Sequence, residues 1–171
     1  MNRLLLPVLV IIIGCSPPTI TSNCDNSIDF KKYTTFCVVD VQEDENPVYP
    51  EYDNYDNRVL IEQAIISELT NMGYKKLDRT SDLIVDFDIV ITEKVDPRVD
   101  SAVIYKPWVD TKIDSFNYTE GLLVIRIVDR KEKRLVWQGS MSGILNRKPQ
   151  QFDNRIKTYI TKLFDTLSCR M

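Results

Sequence analysis

Apolar and polar positions repeat along this chain with two different periods. Ile61, Ala64, Ile65, Leu69 and Met72 recur three and four residues apart, the spacing of one face of an α-helix, and predict a helix over 58–72. Asp56 or Asn57 is placed to cap its start, and Gly73 follows as a stop. A second stripe, Phe152, Ile156, Tyr159, Ile160, Leu163, Phe164 and Leu167, predicts a helix over 150–167 whose continuous apolar side belongs in a core. Elsewhere the period is two. Val85, Phe87, Ile89 and Ile91 alternate with Asp86 and Asp88. Leu123, Ile125 and Ile127 alternate with Val124, Arg126 and Val128. Leu135, Trp137, Gly139 and Met141 share one side of a further strand, joined to the previous one by the polar turn 129–133. Tyr33–Val39 is rich in β-branched and aromatic residues and reads as a first strand; 74–77 is a short strand or the lead into one.

These elements make an α+β domain of order β-α-β-β-β-α, with a mostly antiparallel sheet and the two helices packed on one face. The helical stripes then bury Val85, Phe87, Leu123, Ile125 and Trp137. The opposite face carries Asp86, Asp88 and Arg126, and stays wet or meets a partner. Gly139 and Gly143 leave room for close packing.

The first residues follow another pattern. Asn2 and Arg3 precede the apolar run Leu4–Ile13, and the run closes on Ile12-Ile13-Gly14-Cys15. It is too short to span a bilayer, which takes about 20 apolar residues, and Ser16-Pro17-Pro18 stops it. A basic start, a short apolar stretch and a small residue at the cut describe an export signal. The ending I-I-G-C resembles the bacterial lipobox, which implies cleavage between Gly14 and Cys15 and acylation of Cys15 with diacylglycerol and palmitate-type chains. Several chains hold a protein firmly where one does not. Residues 1–14 are then the lipoprotein signal peptide, 15–28 a lipidated tether and 29–171 the single domain. Ser16 after the cysteine favours sorting to the outer membrane, facing the periplasm.

Composition narrows the chemistry. Of 171 residues, 43% are hydrophobic and 27% charged, the balance of a globular domain with its own core. The net charge is −3, and loss of Arg3 with the signal makes it one unit more negative, a poor match to nucleic acid. The chain has no histidine, which removes His-based nucleophile pairs and His-ligated metal sites. No metal or cofactor motif is present. Four cysteines occur; with Cys15 assigned to lipid, Cys24, Cys37 and Cys169 allow at most one bridge. Cys24–Cys37 is the nearest pair, and buried free thiols are the alternative.

Three stretches invite chemistry. Residues 40–57 are acidic and tyrosine-rich, but lack the glycine turn and closing carboxylate of a calcium loop. Asp86 and Asp88 point the same way from one strand, an arrangement open to a metal or acid–base role; the plainer account is the wet side of a half-buried strand. Residues 93–117 carry Val103, Ile104, Tyr105 and Trp108, an apolar stretch suited either to partner contact through Tyr105 and Trp108 or to a flap closing over the protein's own core.

Several segments together resemble a known family: Asp29-Phe30-x-x-Tyr33-x-Thr35-Phe36, Ile61-Glu62-x-Ala64-Ile65, Met72-Gly73-Tyr74, Asp82-Leu83-Ile84-Val85, Tyr118-Thr119-Glu120-Gly121 and Leu135-Val136-Trp137-Gln138-Gly139. This resembles the bacterial lipoprotein family of domain of unknown function 4136, over about Asp29–Leu167. The resemblance implies fold and envelope location, with no catalytic signature, and departs at 93–117, where this chain has Trp108 alone. The expected function is a non-enzymatic binding or assembly module, anchored to the bilayer through Cys15 and meeting an envelope protein partner. The alternative is a periplasmic small-ligand or lipid-binding protein.

Overall fold

A computed structural model describes residues 18–25, 27–39, 48–78, 80–98, 114–145 and 152–168. Strands β1 (Thr19–Cys24), β2 (Thr35–Val38), β3 (Lys75–Lys76), β4 (Leu83–Arg98), β5 (Asp114–Asp129) and β6 (Arg134–Ile144) form one sheet in the order β1-β6-β5-β4-β2-β3. Helices α1 (Tyr55–Asn71) and α2 (Phe152–Ser168) cover one of its faces. No helix among the described residues is long and apolar enough to cross a membrane.

The predicted helices are present. α1 begins earlier than its apolar stripe, because the Asn54 side chain accepts the Asn57 N–H at 2.9 Å and caps the helix there. Asp56 and Asn57, the expected caps, lie inside its first turn. At the other end Gly73 takes φ +95°, the left-handed conformation a helix stop requires. α1 carries the chain from β2 over the sheet to β3, so β2 runs parallel to both β3 and β4. The other pairings are antiparallel, and the sheet is therefore mixed.

The core lies between sheet and helices. Val85, Phe87, Leu123, Ile125, Ile127 and Trp137 meet Ile61, Ile65, Leu69, Ile160, Leu163 and Phe164. The Trp137 ring packs 5.4 Å from that of Phe164 and lies over Gly139. A Cβ at Gly139 would come within 2.8 Å of Leu163 Cδ1 and closer still to the indole. The glycine is there because the tryptophan ring occupies the space its side chain would need.

Three features depart from the pattern reading. Residues 19–24, expected within a tether, form edge strand β1 against β6, from Thr19↔Ser142 to Cys24↔Trp137; Ile20 and Cys24 pack against the core. A polar segment does this because an edge strand needs only every second side chain against the core. A bulge between Ile127 and Val128 places Leu135 opposite Val128 and adds Val136 to β6. Val136 is buried, and Leu135, expected beside Trp137, is 44% exposed.

The third departure is length. β4 and β5 pair continuously from Leu83↔Asp129 to Arg98↔Asp114, while β6 stops at Ile144↔Glu120 and β2 at Val38↔Val85. The far half of the β4–β5 hairpin is thus a two-stranded arm leaving the body of the sheet. Its outer edge along β4 is unpaired beyond Val85 among the described residues. The Val85 carbonyl points outward, accepting from Val39 N–H at 2.9 Å. Pro97 falls on the same alternation, so the N–H it lacks would have faced the open edge, where proline is tolerated and discourages stray pairing.

Candidate functional site

Of the residues singled out from sequence, Gly14, Cys15, Tyr105 and Trp108 lie outside the described residues. Cys24 and Cys37 are both free thiols, Cys24 half-buried and Cys37 buried. They sit on β1 and β2, with β6, β5 and β4 between them. Strands are spaced about 4.8 Å apart and a disulfide needs Cα atoms within about 7 Å, so these two cannot be bridged.

Asp86 and Asp88 share the sheet face opposite the helices, and Arg126 is the cross-strand partner of Asp86. Its Nε donates to Asp86 Oδ1 at 2.8 Å and its Nη2 to Asp86 Oδ2 at 3.1 Å and Asp88 Oδ2 at 2.6 Å. The hydrogen bond to Asp86, then that to Asp88, raises the guanidinium pKa above its ordinary value. One cation thus holds both carboxylates in a geometry suited to a salt-bridge clamp. All three groups are partly exposed, so Arg126→Gln is expected to lower stability by about 1 kcal/mol or less. Urea denaturation checks this, and the loss should shrink in 1 M salt.

The second polar cluster is at the end of the sheet away from the arm. A short 3-10 turn, Phe30–Lys32, precedes β2 and brings Lys32 and Tyr33 against the β5–β6 turn. There Asp129 is only 4% exposed. Its Oδ1 accepts the N–H groups of Lys131 and Glu132 at 2.9 and 3.0 Å. Its Oδ2 accepts Tyr33 O–H at 2.7 Å and lies 3.5 Å from Lys32 Nζ. The Glu132 N–H foremost, then Tyr33, the Lys131 N–H and Lys32, hold the Asp129 carboxyl below its usual range against the opposing effect of burial. Burial and the bond to Asp129 push the Tyr33 phenol up. Lys32 Nζ also stands 4.7 Å over the Tyr33 ring.

Asp82 does similar work beside it. Its Oδ2 accepts the N–H groups of Thr34 and Thr35 and both their hydroxyls, and these bonds lower its pKa, the Thr34 N–H most. Arg130 Nη2 donates to Cys37 Sγ at 2.9 Å and to Ser81 Oγ at 3.1 Å. Lys32, Tyr33, Ser81, Asp82, Asp129 and Arg130 line most of a surface depression of about 340 Å³. Every lone pair that would make Asp129 a base or a metal ligand is already directed at a donor. The cluster staples the start of β2, the start of β4 and the β5–β6 turn together. No grouping of three or more Cys, Asp or Glu residues able to hold a metal occurs among the described residues.

The chain matches the family described as Domain of unknown function (DUF4136) over residues 20–167. It belongs to that family. The match begins inside β1, upstream of Asp29 where the residue-level resemblance starts, which agrees with β1 being part of the domain. No curated protein matches this DUF4136 chain. Among solved structures, it is similar to a PDZ domain protein of Parabacteroides distasonis, at 16% identity and TM-score 0.56. The alignment covers 86% of this chain but 35% of that one, so the chain spans about a third of its length. It is also similar to the PelC dodecamer of Paraburkholderia phytofirmans, at 11% identity and TM-score 0.53 over 91% of this chain and all of that one, and to a second crystal form at 12% and 0.51. At these identities the likeness is one of fold.

The Asp129 cluster of this DUF4136 domain was not legible as a site. Asp129-Arg130-Lys131-Glu132-Lys133 reads as a polar turn, and an aspartate bonding the N–H groups two and three residues on is the local signal of such a turn. Its partner Tyr33 is 96 residues away, beyond any local pattern.

Proposed function

We propose that this DUF4136 protein is a lipid-anchored module of the bacterial envelope, without catalytic activity, that binds or positions another envelope component. The observation that carries the reading is the I-I-G-C ending of the apolar run at Cys15, with the folded sheet beginning at Thr19 almost immediately after it. A long flexible leash would suit a protein that searches for distant targets; a short one suits a module that works at the membrane. The non-catalytic part rests on the polar clusters. Asp129 directs both oxygens at donors, Asp86 both at Arg126, and Asp82 and Asp88 each hold a donor on Oδ2, so these carboxylates are engaged as structural acceptors, which supports a role other than base or nucleophile. The fold's occurrence in a dodecamer supports assembly as one way of working. The outer membrane is the compartment that Ser16 favours.

Intact mass and fractionation of the native protein test the anchor. A chain starting at Cys15 and carrying three acyl chains is expected in the membrane fraction, and Cys15→Ala is expected to abolish both the added mass and the membrane partition. A native protein that is soluble and unacylated would overturn the reading.

A further inference from the structure

With Cys15 assigned to lipid, Cys24, Cys37 and Cys169 remain, and the fold leaves one pair of them able to bridge. Cys37 is cut off from both others. On β2 it alternates with Phe36 and Val38, which belong to the core beneath the helices. Its side chain is therefore on the opposite face of the sheet, where Sγ accepts from Arg130 Nη2. Cys24 pairs with the buried Trp137 and packs against the core from edge strand β1. Its thiol is on the helix side.

The end of α2 comes to the same place. Leu163 lies over Gly139 and Phe164 against Trp137, so this part of the helix sits on β6, and it packs on β1 beside it. The connection gives its direction. Leu145 is six residues beyond Gly139, about 20 Å along the strand. Phe152 is eleven residues before Leu163, about 16 Å along the helix. If α2 ran the same way as β6, these lengths would add to about 36 Å, and the seven steps from Leu145 to Phe152 reach about 25 Å at most. α2 therefore runs back against β6, toward the end where that strand begins. Leu167, one turn past Leu163, is about 6 Å further on. That is the level of Trp137 and its partner Cys24, and Leu167 is buried in the same core.

Cys169 follows two residues later. Chain connectivity keeps its Cα within about 7.5 Å of that of Leu167, and a disulfide spans Cα atoms about 4.4–6.8 Å apart. Together these cover about 14 Å. A helix axis stands about 10 Å from the layer beneath it, and β1 is one strand, about 4.8 Å, from β6, a separation of about 11 Å. α2 closes at Ser168, so the covalent chain and not the helical phase sets where the Cys169 thiol can go.

We propose that Cys24 and Cys169 form a disulfide in the exported protein, bolting edge strand β1 to the C-terminal end of α2. This rests on the export and anchor reading above, since the compartment outside the inner membrane is the oxidising one. The two thiols give up two protons and two electrons to a disulfide-bearing oxidant, which leaves as its dithiol; the structure shows Cys24 in the reduced state. Cys37 stays a thiol. β1 is held on one side only, by β6, and it is the strand that joins the domain to the anchored end of the chain. The bridge carries any pull on that end into α2 and the core.

The test uses the native full-length protein, acid-quenched, denatured and treated with N-ethylmaleimide, then digested and mapped by mass spectrometry with and without prior reduction. A linked peptide pair holding Cys24 and Cys169 is expected, with the maleimide on Cys37 alone. Cys169→Ser should free Cys24 for alkylation and lower the melting temperature by about 10 °C. Dithiothreitol should lower the wild type by a similar amount and leave the variant unmoved. A processed chain with all three thiols alkylated, a link that uses Cys37, or a Cys24 link between two copies would overturn the bridge and leave the anchor standing. A chain that keeps residues 1–14 overturns the export reading, and the bridge with it.

Discussion

Trp137→Ala is expected to lower the unfolding free energy by about 3–5 kcal/mol, the range for removing a large aromatic from a packed core. Domains of this size are stable by only about 5–15 kcal/mol in total. The indole is fully buried, it packs on Phe164, and it fills the space above Gly139. Because Gly139 beneath the ring has no side chain to fill the void, the cost falls at the upper end. Trp137→Phe should be much milder. Its indole Nε1 is buried with no hydrogen-bond partner among the described residues, and a donor left so costs about 1–3 kcal/mol. Phenylalanine gives up volume but sheds that penalty. Urea denaturation followed by circular dichroism measures both. An alanine variant within about 1 kcal/mol of wild type would mean that the sheet and helices do not close over this ring.

Asp129→Ala is expected to cost about 2–4 kcal/mol at pH 7, because it strands the Tyr33 hydroxyl and two turn N–H groups at once. The loss should depend on pH in a definite direction. Asp129 and Asp82 have folded pKa values below the ordinary carboxylate value. Their contribution is present above the unfolded pKa, about 3.9, and is lost as pH falls through the lower folded one. Tyr33 has a raised folded pKa, so its share is complete below about pH 10, the unfolded value, and fades as the solution becomes more alkaline. The wild type and Asp129→Ala should therefore differ most between these limits, and the gap should narrow as the pH falls below the unfolded value toward the lower folded one. Denaturation midpoints at pH 7 and at pH 2–3 decide it. A gap that stays constant into acid would show that the charge on Asp129 is not what holds the turn.

Both helices and the inner strands were readable because each buries one face in a single core. The stripe Ile61–Leu69 and the alternation Val85–Phe87 are local records of that burial. What escaped the pattern is what burial does not mark. Thr19–Cys24 is polar and exposed at most positions, and it is a strand only because Gly139–Ser142 lie open beside it. The outer half of β4 has no core to face; Glu93, Lys94 and Val95 are exposed, Val95 by 63%, and the alternation fades where the arm begins. The parallel pairing of β2 with β4 depends on the path of α1, and periodicity carries no information about path. The bulge at Val128 moved Leu135 out and left Val136 buried, a shift of one residue that alternation alone assigns the other way. Among candidate chemical groups, the pair Asp86 and Asp88 was visible, yet its meaning depended on Arg126 from the neighbouring strand, 38 residues beyond Asp88.

The place of β1 has a consequence for the order in which the molecule assembles. Its partner strand lies far along the chain: Thr21 and Ser140, whose hydroxyls meet at 2.8 Å, are 119 residues apart. β1 must wait for β6, since a contact that distant forms only after a long loop has closed. Until it docks, β6 is a bare edge with Trp137 and Met141 beneath it, the kind of surface on which unfinished chains stick to one another. A chain trimmed or held back at residues 19–24 would be left in that state.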